Sequence, residues 1–101
     1  MGQFQSGVLW GEDLKNLYDH SRENKFAIPA VNVVGTNSIN AILECAKKVN
    51  SPVMIQFSNG GAHFFGGKSL SNKDHFAAIK GGVAGAQYVH AMAEAYDVPV
   101  V

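Results

Sequence analysis

Polar residues able to handle a small ligand fall at the ends of two apolar runs. Asn32 lies near the end of Phe26–Val34, and Ser58 follows Pro52–Phe57 and opens Ser58-Asn59-Gly60-Gly61. A serine hydroxyl can donate to a phosphate or sugar oxygen, and Gly60 and Gly61 would let backbone N–H groups come close to an anion. The competing structural roles are equally concrete. Ser58 and Asn59 could satisfy hydrogen bonds of a turn, and Asn32 could be a buried amide bridging neighbouring strands. The residues alone leave both pairs of readings open.

Other chemistry-bearing residues carry weaker signals. Gly61-Ala62-His63-Phe64-Phe65-Gly66-Gly67-Lys68-Ser69 ends like a nucleotide P-loop, but Ala62 stands where that pattern needs glycine. Phe64 and Phe65 are also bulky where a backbone must wrap a phosphate. The four histidines, His20, His63, His75 and His90, form no i, i+4 pair and no Cys-His pattern, so a complete zinc site within the chain is not expected. His63 is expected in a mobile loop. Cys45, the single cysteine, reads as a packed helix thiol rather than a nucleophile. Trp10 reads as an anchor for the first helix. Glu94 and Asp97 do not form an acid/base pair, one lying on a helix and the other in its terminal turn.

These residues need strands and helices to position them, and the spacing supplies both. Gly11–Asn24 is expected to be a helix with Leu14, Leu17, Tyr18 and Ser21 on one face. Phe26–Val34 is expected to be a strand, with Pro29 confined to an edge or to its first residues because proline cannot donate to a ladder. Gly35–Ser38 reads as a turn ending in helix-capping residues. Ile39, Ile42, Leu43, Ala46 and Val49 then recur at helical spacing, with Lys47 and Lys48 suiting the negative end. Val53–Phe57 reads as a short buried strand and Ser58–Lys73 as a long glycine-rich loop. Phe76–Tyr96 is expected to be a helix with Ile79, Val83, Ala86, Val89, Ala93 and Tyr96 on one side, and with Gly81, Gly82 and Gly85 admitting another backbone. Val98–Val101 begins a third strand.

Strand, helix, strand, helix, strand implies parallel pairing through right-handed crossovers. The fold class expected is α/β: the first β/α units of a (β/α)8 TIM barrel, incomplete, with residues 1–101 as the N-terminal part of one domain. A closed barrel needs about 250 residues and keeps its chemistry at the C-terminal ends of its strands.

Composition narrows the function. Eight basic and eight acidic residues give zero formal charge, which removes the electrostatic case for nucleic acid or an anionic membrane surface as partner. No apolar run reaches the length of a membrane span, and the first residues lack the form of a secretory signal. One cysteine allows no intrachain disulfide, which suits a reducing, cytoplasmic setting. Met1-Gly2 with Ser6 formally fits a myristoylation pattern, one too short to carry weight.

Taken in order, Phe26-Ala27-Ile28-Pro29-Ala30-Val31-Asn32, Gly35-Thr36, Ser38-Ile39-Asn40-Ala41, Ser51-Pro52-Val53 and Gln56-Phe57-Ser58-Asn59-Gly60-Gly61-Ala62 resemble the N-terminal part of class II fructose-bisphosphate aldolases. Gly67-Lys68, His90-Ala91-Met92-Ala93-Glu94 and Val98-Pro99-Val100-Val101 continue the resemblance. It implies a TIM barrel in which a divalent metal, usually zinc, acts as a Lewis acid on the carbonyl of dihydroxyacetone phosphate. The reaction implied is reversible aldol cleavage of fructose 1,6-bisphosphate, a step of glycolysis and gluconeogenesis, by a homodimer. By the same resemblance Ser58 contacts substrate near its phosphate end and Asn32 helps to orient it. In the family the third strand leads into an Asp-His pair, the aspartate serving as acid/base and the histidine as metal ligand. In the family that pair falls just past the position matching Val101, so the chain is expected to supply no catalytic residue and no metal ligand, and to be inactive alone. The alternative is a non-catalytic β/α module or half-barrel that needs a partner chain, and open sheet edges would make a bare fragment prone to aggregate.

Overall fold

The computed structural model describes residues 3–101, so the Met1-Gly2 opening of the formal myristoylation pattern lies outside the described residues. The elements run β1 (Gly7–Val8), α1 (Gly11–Glu23), β2 (Ala30–Asn32), α2 (Thr36–Val49), β3 (Met54–Gln56), α3 (Asn59–Gly66), a 3-10 turn (Lys73–His75), α4 (Phe76–Tyr96) and β4 (Pro99–Val100). The strands form two parallel pairs, β1 with β4 and β2 with β3, and a parallel bridge between Val53 and Val100 joins them. The strand order is therefore β1-β4-β3-β2, an open sheet of alternating β/α units that is part of a TIM barrel. The radius of gyration, 14.4 Å, exceeds the roughly 13 Å of a compact 100-residue domain, as an unclosed layer should.

Helices α2 and α4 cover one face of the sheet. Val53, Val98 and Val100 pack there with Ile39, Leu43 and Val89. Side chains alternate along a strand, so Ala30, Asn32, Met54 and Gln56 project to the other face, where all but half-buried Met54 are exposed. The two helices are tied across their outer edge by Tyr88 Oη donating to Asn40 Oδ1 at 2.8 Å and Lys47 Nζ donating to Asp97 Oδ2 at 2.7 Å.

Several elements differ from the sequence expectation. Helix α2 starts at Thr36, inside the expected turn, because Ser38 Oγ bonds back to the N–H and C=O of Gly35 and secures the first turn. Strand β2 is three residues rather than nine, since only Ala30–Asn32 lies alongside β3 in register. The first half of the expected long loop is helix α3. Glycine disfavours helix, but Ser58 caps this one and its body packs on α4. His63 consequently lies on a helix, not in a loop. Helix α4 has the expected limits, and Val89 and Ala93 of the expected stripe are buried, but in its first half Ala77, Ala78, Gly81 and Gly85 point inward while Ile79 and Val83 are 58% and 54% exposed. Small residues face inward because α3 lies almost against the α4 backbone. Cys45 is exposed. Two residues past Leu43 it has turned about 200° around the helix, away from the core. Trp10, which precedes α1, is 81% exposed and anchors nothing among the described residues.

Candidate functional site

The site is built at the C-terminal ends of β2 and β3. Asn32 and Gln56 are register partners, so their amides stand side by side on the uncovered face. Asn32 is exposed and makes no side-chain hydrogen bond among the described residues, which removes the buried-bridge role considered for it. The Gln56 amide has only a long contact, 3.9 Å, to Met54 Sδ. Gln56 was not singled out from sequence as a site residue. Its signal was the two-residue step to Ser58, which marks a shared face on a strand.

Ser58 is the N-cap of α3, and its Oγ accepts from the Gly61 N–H at 2.9 Å. The turn role is therefore real. It uses a lone pair of the hydroxyl and leaves its proton available to a ligand, because a serine hydroxyl both donates and accepts. The first turn of α3 lies close against the end of β2: a Cβ built on Gly61 would sit 3.0 Å from the Val33 carbonyl oxygen. Asn32 and Ser58 thus belong to one wall, joined by the Val33 N–H donating to Gln56 O at 3.0 Å. The amides of the first turn also carry the positive end of the α3 dipole.

The remaining candidates do not converge on this wall. His20 stacks edge-on between Phe4 and Phe26, with ring centroids at 5.3 and 5.7 Å. His75 has a left-handed backbone just before α4, and His90 is exposed on α4. His63 approaches Lys68 Nζ at 3.5 Å through Nδ1, and its Nε2 is buried without a partner among the described residues. Asp97 lies before β4, at the opposite end of the sheet, where it lines a cavity of about 230 Å³ with Lys47 and Phe4. The hydrogen bond and charge of Lys47 hold its carboxyl below the usual carboxylate range. Glu94 instead lies along Gly7. Among the described residues no three His, Cys, Asp or Glu side chains gather as a metal would need, so these residues do not fit a catalytic metal. The P-loop comparison fails as well, because Asn59–Gly66 is helix where a phosphate loop would have to wrap.

Parallel strands alternating with helices, with polar groups at the C-terminal strand ends where such folds keep their chemistry, mark the chain as part of a β/α barrel. The comparisons narrow this to one family. Residues 12–101 match the family model described as fructose-bisphosphate aldolase class-II, and the chain belongs to that family. It is 56% identical over 97 residues to a fructose-bisphosphate aldolase of Campylobacter jejuni, covering 96% of this chain and 26% of that protein. It is 54% identical over 96 residues to the class 2 fructose-bisphosphate aldolase of Escherichia coli K12, covering 94% of this chain and 27% of that one. A crystal structure of the Campylobacter jejuni aldolase superposes with a TM-score of 0.88 at 56% identity, over 96% of this chain and 27% of that chain. The chain therefore spans about a quarter of the length of these relatives. No helix among the described residues is long and apolar enough to cross a membrane.

Proposed function

We propose that the whole protein is a metal-dependent fructose-bisphosphate aldolase, and that these 101 residues form a substrate-binding wall of it rather than its reaction centre. The observation that carries this is the position of Asn32 and Ser58 at the C-terminal ends of two adjacent strands, β2 and β3, one with a free amide and the other with a free hydroxyl proton. Neither group exchanges protons near neutral pH. Both can hold a polar substrate in place. On this reading Ser58 donates to a phosphate oxygen of a sugar bisphosphate while Gly61 keeps the hydroxyl oriented. The Asn32 amide holds a substrate oxygen nearer the reacting carbons.

The family's zinc would supply Lewis-acid chemistry, but the described residues offer it no ligand set. Its ligands and the acid/base aspartate would be residues outside these 101, and this chain alone would not catalyse. A cytoplasmic homodimer acting in glycolysis and gluconeogenesis completes the reading, with neither nucleic acid nor membrane as partner. The second reading, a half-barrel that needs a partner chain, is favoured only by the uncovered face bearing Ala30 and Gln56.

The test is an aldolase assay on the whole protein. Cleavage of fructose 1,6-bisphosphate should be lost on chelation and restored by zinc. Ser58→Ala should raise KM more than it lowers kcat, the sign of a binding group. A whole protein without cleavage, or an unchanged KM in Ser58→Ala, would overturn the assignment. Zinc-dependent cleavage by the 101-residue chain would overturn its inactivity.

A further inference from the structure

The turn that presents Ser58 is seated from behind by an aromatic ring. Phe57 stands between Gln56, the last residue in register with β2, and Ser58, the cap of α3. Ser58 is exposed, whereas the half-buried Phe57 packs against the main core. Its ring meets α4 at Gly85, which is buried. A Cβ built on Gly85 would overlap Phe57 Cε1 and stand 2.6 Å from Cζ. Gly85 is not among the glycines with positive φ, so glycine serves here for space and not for backbone freedom. The same ring meets Phe65 edge-on, with centroids 5.9 Å apart and planes at 71°. Phe65 lies in the last turn of α3, the helix that Ser58 begins. One ring thus touches both α4 and the far end of the helix that Ser58 caps.

We infer that Phe57, lodged in the notch at Gly85, is the positioning residue for Ser58. The inference deepens the reading of Ser58 as a donor to a substrate phosphate, and its functional half rests on that reading. The Val33 N–H bond to Gln56 O ties β3 to β2 as far as Gln56, and there the register ends. The bond from Gly61 N–H to Ser58 Oγ, 2.9 Å long, orients the hydroxyl within the turn but does not set where the turn sits. Phe57 supplies that reference. Consecutive Cα atoms keep a fixed spacing of about 3.8 Å, so a displacement of Phe57 passes directly to Ser58. A hydrogen bond to a ligand weakens within a few tenths of an ångström of its best length. Burial alone would ask only that Phe57 be apolar. A notch that excludes a single methyl group fixes a position, because close-packed interiors transmit such a misfit instead of absorbing it.

The test uses the whole protein and reads Ser58 in two ways: KM for fructose 1,6-bisphosphate, and amide exchange at Gly61, which needs no substrate. Gly85→Ala should raise KM about tenfold, the scale of one weakened hydrogen bond to a charged group, with kcat changed much less. It should also speed exchange at Gly61. Adding Phe57→Leu, which makes room for the methyl group, should restore most of both. Gly82→Ala, whose Cβ would lie at an ordinary 3.9 Å from Ala62 Cβ, should move neither. Where Gly85→Ala does not fold, Phe57→Leu alone leaves the notch unfilled and should move both readouts in the same direction. The inference is overturned by a folded Gly85→Ala with unchanged Gly61 exchange, by a KM unchanged there while Ser58→Ala raises it, or by a double variant that recovers nothing. A KM unchanged in Ser58→Ala itself would overturn the phosphate contact instead, and Gly61 exchange would still decide the positioning.

Discussion

The carbonyl oxygen of Ala62 occupies the space that a Cβ on Gly81 would need. This contact joins α3 to α4 and so fixes the helix whose N-terminus Ser58 caps. Gly81→Ala must push the two backbones apart or bend α3. Overpacking of this kind costs about 1–3 kcal/mol, so the melting temperature should fall by several degrees. Thermal unfolding followed by circular dichroism measures it. A variant that melts with the unmodified chain would mean that α3 is held by something other than this approach.

Ser58 carries two roles that substitution can separate. Ser58→Ala removes the acceptor for Gly61 N–H and should cost about 1 kcal/mol, as lost N-caps do. Ser58→Asp keeps a capping oxygen and suits the helix dipole, but sets a negative charge where a phosphate is proposed to bind. The aspartate variant should therefore retain stability and lose sugar-phosphate affinity in the whole protein, while alanine loses part of both. Denaturant midpoints beside titration calorimetry distinguish them. Equal affinity in the aspartate variant and the unmodified protein would reduce Ser58 to a cap.

The β/α alternation and the ends of α4 could be read from apolar spacing, because both follow from periodicity. The buried face of α4 could not. Hydropathy selects Ile79 and Val83 as core, yet the neighbouring α3 comes so close that only Ala77, Gly81 and similar small residues fit between the two helices. Helix α3 was hidden for the same reason: Gly60, Gly61 and Gly66 argue locally against helix, and tertiary packing overrules them. Strand β1, two residues long, lies below any periodicity. The strand-end positions of Asn32 and Ser58 were legible: Ser58 stands where an apolar strand changes to polar residues, and Asn32 near the end of an apolar run before Gly35. Gln56 was overlooked because it sits inside the apolar run.

The Lys47–Asp97 pair gives a pH dependence of defined sign. The Lys47 hydrogen bond and charge lower the carboxyl of Asp97 in the folded chain. A group lowered on folding contributes stability that is fully present above its unfolded value, about 3.9. That contribution is lost as pH falls through the lower folded value. Asp97→Asn keeps a residue tolerant of the left-handed backbone, φ 59°, and removes the charge. The unmodified chain should be the more stable at neutral pH, and the difference should shrink as pH drops below about 4. Both residues are mostly exposed, so added salt should reduce the difference too. Urea midpoints across pH measure it, and a gap that widens toward acid would contradict the assigned sign.

Cys45 separates the expectation from the structure most directly. A packed thiol is shielded from reagents until the chain opens, whereas the exposed Cys45 on α2 is accessible in the native fold. A water-soluble disulfide reagent at neutral pH should label it to one equivalent without denaturant, because an exposed thiol reacts in the native fold. Labelling should leave the fold intact, since the helix buries Leu43 and Ala46 rather than position 45. The unmodified melting curve of the labelled chain is the check. Labelling only in denaturant would mean that the outer surface of α2 is covered.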